Sequence, residues 1–178
     1  MLKARHRQLV ADLIASGVLK TPAVIAAFDT IDRADFVPAE LRGQAYINEP
    51  LSIGFGQTIS QPWTVAFMLE KLAPVVGHRV LDIGSGSGWQ TALLAQIVGQ
   101  TGKVIGLEIV PELYEQSRQN LSRYNFLRRG VVELHCLNAT KGFPAGTPFD
   151  RIISAAASPE IPSAWLEQLK VGGRLVAP

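Results

Sequence analysis

Apolar residues recur at helical intervals in the first part of the chain and in short β-rich runs in the second. Leu9, Val10, Leu13 and Ile14 mark one face of a helix predicted over residues 2–14, with Gly17 as its stop. Thr21-Pro22 reads as a capping residue followed by proline at the first helical position, opening a second helix that carries Val24, Ile25, Ala27 and Phe28 towards Ile31. Residues 45–62 show neither helical nor strand periodicity, and irregular segments of that length are often functional. Val65, Met68, Leu69 and Leu72 then predict a third helix over residues 63–72, before a boundary at Pro74 and Gly77.

From Arg79 onward, short β-rich runs (80–83, 104–107, 131–136, 149–154 and 174–177) alternate with helical stretches (91–98, 111–124 and 162–169). That βαβ alternation predicts a Rossmann-like, doubly wound α/β fold with a mainly parallel sheet of about five strands. Runs without a polar face suit strands covered on both sides. The division expected is an N-terminal helical cap with a loop, residues 1–78, and a cofactor-binding domain, residues 79–178.

Composition changes this picture little. With 17 basic and 15 acidic side chains the formal charge is +2, too balanced for the positive field of a nucleic-acid binder, and no nucleic-acid partner is expected. No apolar stretch reaches membrane-spanning length, and polar residues break up the N-terminus, so a cytoplasmic location without membrane association is the default. Cys136 is the only cysteine, which rules out an intramolecular disulfide; it is expected to pack as a small apolar residue. No metal site is assigned. His6, His78 and His135 fall in a helix, a linker and a strand, with no nucleophile elbow, and none is expected to be catalytic.

The candidate chemistry begins at Gly84-Ser85-Gly86-Ser87-Gly88, between the run 80–83 and the helical stretch. A turn free of Cβ atoms lets a ligand lie against the backbone, and the following helix offers unpaired N–H groups. The dinucleotide fingerprint needs a third glycine where this chain has Trp89, so the spacing favours S-adenosylmethionine over NAD. Glu108 closes the second strand near the offset at which a carboxylate accepts from ribose hydroxyls, and it would repel a 2′-phosphate. Asn138, after the third strand, either reads an adenine edge or closes an Asx turn. Asp82 either contacts the cofactor or supports the turn. The candidate cofactor contacts are therefore Asp82, Gly84, Ser85, Gly86, Gly88, Glu108 and Asn138, with Ile109 and Ala139 beside the last two.

These residues resemble the protein-L-isoaspartate O-methyltransferases over nearly the whole chain. The most specific match is residues 52–62, Ser-Ile-Gly-Phe-Gly-Gln-Thr-Ile-Ser-Gln-Pro, which is similar to the family's active-site loop. Further matches are Arg33-Ala34-Asp35-Phe36-Val37-Pro38, Trp89-Gln90-Thr91-Ala92 and Pro159-Glu160-Ile161-Pro162. The resemblance implies methyl transfer from S-adenosylmethionine to the free carboxylate of L-isoaspartyl residues in peptides and proteins. It also implies Ser60 as the active-site serine, Gln57, Thr58 and Ile59 beside the cofactor, and Gly56, Thr58 and Ser60 at the substrate.

Such a carboxyl, with a pKa of about 4, is already an anion at neutral pH, so the task is orientation rather than deprotonation. Ser60 is read as a positioning donor, with Trp63, Phe55 and Tyr46 as candidate walls for the peptide or packing inside the cap. Two departures from the family pattern stand out. Leu137-Asn138-Ala139 replaces a Gly-Asp-Gly type turn, and the chain stops at Pro178, where the family's sheet continues. The usual C-terminal strands are thus expected to be absent, and the last strand to support self-association. The competing readings are a cofactor-binding module with weak activity and a methyltransferase acting on a small molecule or RNA.

Overall fold

In the computed structural model, residues 2–158 and 160–178 are described; Pro159 falls outside them, so only residues 160–162 of that family match can be placed. Helices α1 (Leu2–Ala15), α2 (Pro22–Thr30) and α3 (Pro62–Leu72) form the N-terminal part, with 3₁₀ turns at Arg33–Phe36 and Ala39–Gln44. Pro22 opens α2, but Thr21 makes no side-chain cap. Instead the Thr21 hydroxyl donates to Glu70 Oε2 at 2.6 Å, and the Lys20 and Thr21 N–H groups donate to Glu70 Oε1. A carboxylate on α3 thus holds the start of α2 from across the cap.

Residues 45–62 are more ordered than their pattern suggests. Strands β1 (Leu51–Gly54) and β2 (Gln57–Ile59) form an antiparallel hairpin that pairs Leu51 with Ile59 and Ser52 with Thr58. Leu51 and Ile53 point inward while Ser52 points out, an alternation too short to register against the glycines that follow. At the tip, Gly54, Phe55 and Gly56 take φ values of +88°, +54° and +70°, a left-handed run strained only at Phe55.

The second part alternates β3 (Arg79–Ile83), α4 (Trp89–Val98), β4 (Lys103–Glu108), α5 (Pro111–Ser122), β5 (Val132–Cys136), β6 (Phe149–Ser154), α6 (Ser163–Glu167) and β7 (Leu169–Val176). Among the described residues the sheet has five strands in the order β5-β4-β3-β6-β7, every neighbouring pair parallel. The chain winds outward from β3 through β4 to β5, then returns to the other side of β3. That reversal opens a crevice at the carboxyl ends of the strands.

Val80, Val104 and Val132 share a core with α4 and α5, whereas Leu81, Ile83, Ile105 and Leu107 pack on the opposite face with Phe149 and Trp165 of α6. The first of these cores also takes in Leu9, Phe28 and Leu69 of α1–α3, so residues 1–78 and 79–178 share one apolar interior.

Two further expectations change. The helix expected to reach Leu169 ends at Glu167, and the last strand begins five residues before Arg174, at Leu169. The Phe149 N–H takes the Gln168 carbonyl at 2.8 Å, which draws Leu169 into the sheet opposite Phe149. The step from Phe149 to Arg151 then faces the longer step from Leu169 to Arg174, and Gly172, at φ +76°, lets the excess bulge outward. Cys136 is exposed rather than packed, because it ends β5 at the rim of the sheet.

Candidate active site

The glycine turn is built by the strands beneath it. The Gly84 and Ser85 N–H groups both donate to the Leu107 carbonyl, at 2.9 and 3.0 Å, stitching the end of β3 to the end of β4. Gly84 has φ +75°, and a Cβ there would sit 3.1 Å from Ala156 Cβ, so the close approach of the residues after β6 depends on glycine. Gly88, at φ +92°, serves helix packing: a Cβ would meet the Leu121 side chain at 3.2 Å. It borders neither cavity described below.

Asp82 resolves to the supporting alternative. It is fully buried beneath the turn, where it accepts from Gln90 Nε2 at 2.7 Å and from the Thr91 hydroxyl at 2.5 Å, both on α4. Burial pushes its pKa up to about 6 against these hydrogen bonds, and it borders neither cavity. Its role is to anchor the first turn of α4 under the glycines.

Glu108 occupies the rim. Oε1 accepts the Ile109 and Val110 N–H groups at 2.8 and 2.9 Å, and Oε2 accepts the Gly86 N–H at 2.8 Å. Three backbone donors hold the carboxylate in one orientation and leave acceptor capacity for hydroxyl groups in the cleft. Asn138 makes the Asx turn: its side-chain oxygen accepts the Thr140 N–H at 2.9 Å, so the amide NH₂ is the half left to a ligand.

These groups surround a cavity of about 340 Å³ over the carboxyl ends of the strands. Gln57, Thr58, Ser60, Gly84, Gly86, Glu108, Ile109, Asn138 and Ala139 all line it. A smaller recess of about 40 Å³ shares Thr58, Ser60, Gly84 and Gly86 with it and adds Ile59, Ser85 and Trp89. Among the described residues, the Ser85 hydroxyl and Trp89 Nε1 beside the recess are fully buried without a hydrogen-bond partner. Ser60 is half-buried, and none of the described protein groups engages its hydroxyl. A ribose acceptor at one side, a Cβ-free floor and unengaged donors at the other fit a nucleoside cofactor with a charged amino-acid tail.

Gly56 borders neither cavity, because it belongs to the hairpin tip. The three aromatics considered as peptide walls also stand apart from both: Tyr46 donates to Asp32, Trp63 stacks on Phe67 at 5.3 Å, and Phe55 projects from the tip. Sequence reasoning missed Ala155–Ser158, which form a wall after β6, and Trp165, whose Nε1 donates to the Ala139 carbonyl at 2.7 Å. A tryptophan in a helix of only five residues was the available signal for the latter. It also missed Arg33. This guanidinium is 1% exposed and donates to the carbonyls of Ala45, Ile47, Glu49 and Ser60.

A parallel sheet reversing at β3, a glycine turn entering α4 and a carboxylate at the end of β4 define an S-adenosylmethionine-dependent methyltransferase. The profile of the protein-L-isoaspartate(D-aspartate) O-methyltransferase (PCMT) family matches residues 4–178, and the chain belongs to that family. A protein-L-isoaspartate O-methyltransferase of Methanopyrus kandleri is 43% identical over 176 residues, covering 99% of this chain and 76% of that protein. One from Aeropyrum pernix is 46% identical over 176 residues, covering 99% of this chain and 66% of its own length. A Plasmodium falciparum structure described as a protein-L-isoaspartate O-methyltransferase, in complex with S-adenosyl-L-homocysteine, superposes with a TM-score of 0.88 at 28% identity. It is covered over 83% of its chain, and 97% of this one. The family is S-adenosylmethionine-dependent. Among the described residues, no helix is long and apolar enough to cross a membrane.

Proposed function

We propose that this chain transfers a methyl group from S-adenosylmethionine to the free carboxylate of L-isoaspartyl residues in peptides and proteins. The observation that carries the reading is the place of Ser60, which lines both the cofactor-sized cavity and the recess beside the glycine turn and whose hydroxyl is engaged by none of the described protein groups. S-adenosylmethionine, when bound, supplies a methyl group already activated on a sulfonium sulfur.

The work left to the protein is placement. Glu108 accepts the ribose hydroxyls, Gly84 and Gly86 give the floor, and Asn138 and Ala139 border the base. Ser60 donates to the acceptor carboxylate and holds it as an anion, while Thr58 and Gln57 close the edge that excludes water. In this reading residues 79–178 hold the cofactor and residues 1–78 present the acceptor. The setting proposed is the cytoplasm, where the exposed thiol of Cys136 stays reduced. Self-association along the outer edge of β7 is proposed as well, since none of the described strands pairs with that edge; sedimentation at micromolar concentration checks it, and a strictly monomeric species rejects it.

The test is mass spectrometry of an isoaspartyl peptide after incubation with the protein and S-adenosylmethionine. Gain of one methyl group dependent on both supports the reading. An unmodified peptide, with cofactor binding verified by calorimetry, selects a cofactor-binding module without turnover.

A further inference from the structure

We infer that Arg33 is a positioning residue for the reaction: from outside both cavities, its buried guanidinium clamps the segment carrying Ser60 against the helix that follows the glycine turn. The inference rests on the methyl-transfer reading above and adds a residue to it.

The geometry is unusual for an arginine. The group is 1% exposed, yet among the described residues no carboxylate lies within ion-pairing distance. Its Nη1 donates to the Ala45 and Ile47 carbonyls at 2.9 and 3.2 Å, and its Nη2 to the Glu49 and Ser60 carbonyls at 2.9 and 3.1 Å. The first three acceptors come from alternate residues of a turn-and-bend stretch, and the guanidinium supplies the donors that their carbonyls need. The fourth is the backbone of the serine that lines both cavities.

The other side of the clamp is Trp89. The Arg33 Cζ sits 5.3 Å from the centre of the indole ring, and Trp89 is the first residue of α4, one position after Gly88. A single side chain therefore links the acceptor side of the site to the cofactor side. Burial of a charge without a counter-charge is costly, and desolvation lowers the Arg33 pKa to about 10. Four charge-assisted hydrogen bonds offset that cost, and each needs the planar fork. An ammonium has three donors on one atom and cannot span four carbonyls. The uncompensated positive charge beneath Ser60 also favours an anionic acceptor at its hydroxyl.

The experiment compares Arg33→Lys and Arg33→Met with the unmodified protein. Three experiments are run: steady-state kinetics with an isoaspartyl peptide for kcat and KM, calorimetry for the Kd of S-adenosylhomocysteine, and hydrogen exchange across the chain. The expected result is a fall in kcat/KM of roughly tenfold to a hundredfold, as small misplacements of reacting groups produce, with Kd changed less than about threefold. Faster exchange should be confined to residues 45–61, and Lys should recover part of the loss seen with Met.

Unchanged kcat/KM in both variants overturns the inference. So does equal loss of cofactor affinity, exchange that spreads through the central strands, or failure of both variants to fold, because each makes the role structural. If the unmodified protein transfers no methyl group, the functional reading falls instead, and the exchange and binding arms still decide whether Arg33 clamps the loop.

Discussion

Glu108 Oε2 accepts the Gly86 N–H at 2.8 Å, joining the end of the second central strand to the middle of the glycine turn. The contact aims one carboxylate oxygen into the cleft while Oε1 is held by the Ile109 and Val110 N–H groups. Glu108→Gln places an NH₂ group against one of these backbone donors and leaves it unsatisfied, at about 1–3 kcal/mol. The Kd for S-adenosylhomocysteine should rise roughly tenfold to a hundredfold in calorimetry. An unaltered Kd contradicts the ribose assignment.

In the proposed reaction Ser60 donates to the acceptor carboxylate, so its loss should act on turnover more than on cofactor binding. Ser60→Ala removes one hydrogen bond to an anion, worth about 1.5–3 kcal/mol, so kcat/KM for an isoaspartyl peptide should fall by roughly one to two orders of magnitude. The Kd for S-adenosylhomocysteine should stay within about a factor of three of the unmodified protein. Comparable losses in both quantities count against the division of labour.

Asp82 predicts a pH dependence in the acid range. Its pKa is raised from 3.8 to about 6 by burial, so the folded state binds the proton more tightly than the unfolded state does. The contribution to stability is fully present below about pH 4 and is lost as pH rises through about 6. Asp82→Asn keeps an acceptor for Gln90 but cannot titrate, so urea unfolding midpoints should lose this downward component between those values. A component of the same size in the variant points to another group.

His6 predicts a second dependence at higher pH. Its Nδ1 lies 3.4 Å from Asp32 Oδ1 and its Nε2 2.7 Å from the Phe28 carbonyl, and only the imidazolium can donate to both. The hydrogen bond to Asp32 raises its pKa above 6.5, with burial acting against it. The stabilisation is present below 6.5 and disappears as pH climbs through the raised value. Replacing His6 with Gln should flatten thermal stability above pH 6.5, and hydrogen exchange in α1 and α2 should show the same flattening.

How far the sequence alone reached depended on segment length and on what each segment packs against. Strands β3, β4 and β6 are buried on both sides, so they read as mainly apolar runs without alternation, and a parallel sheet followed from the alternation of strands and helices. The β1–β2 hairpin escaped because strands of four and three residues, split by Gly54 and Gly56, cannot build a visible period. The role of Asp82 was ambiguous because its partners lie on the next element; Gln90 and Thr91, polar residues in a helix buried along almost its whole length, were the clue. Asn138 stayed open for the same reason, since only the position of the Thr140 N–H separates a turn from a ligand contact. Arg33 was visible as part of a motif, but its four acceptors are backbone carbonyls, which leave no mark in the side-chain sequence.

In the proposed reaction one site presents an activated methyl group to an isomerised carboxylate oriented by Ser60. The most direct measurement is the initial rate of labelled methyl transfer from S-adenosylmethionine to two peptides of identical sequence, one with an L-isoaspartyl residue and one with the ordinary aspartyl residue. Transfer to the isoaspartyl peptide, little or none to its partner, and a marked loss with Ser60→Ala are expected. Equal rates on the two peptides, or no transfer from folded protein that binds the cofactor, would contradict the proposed reaction.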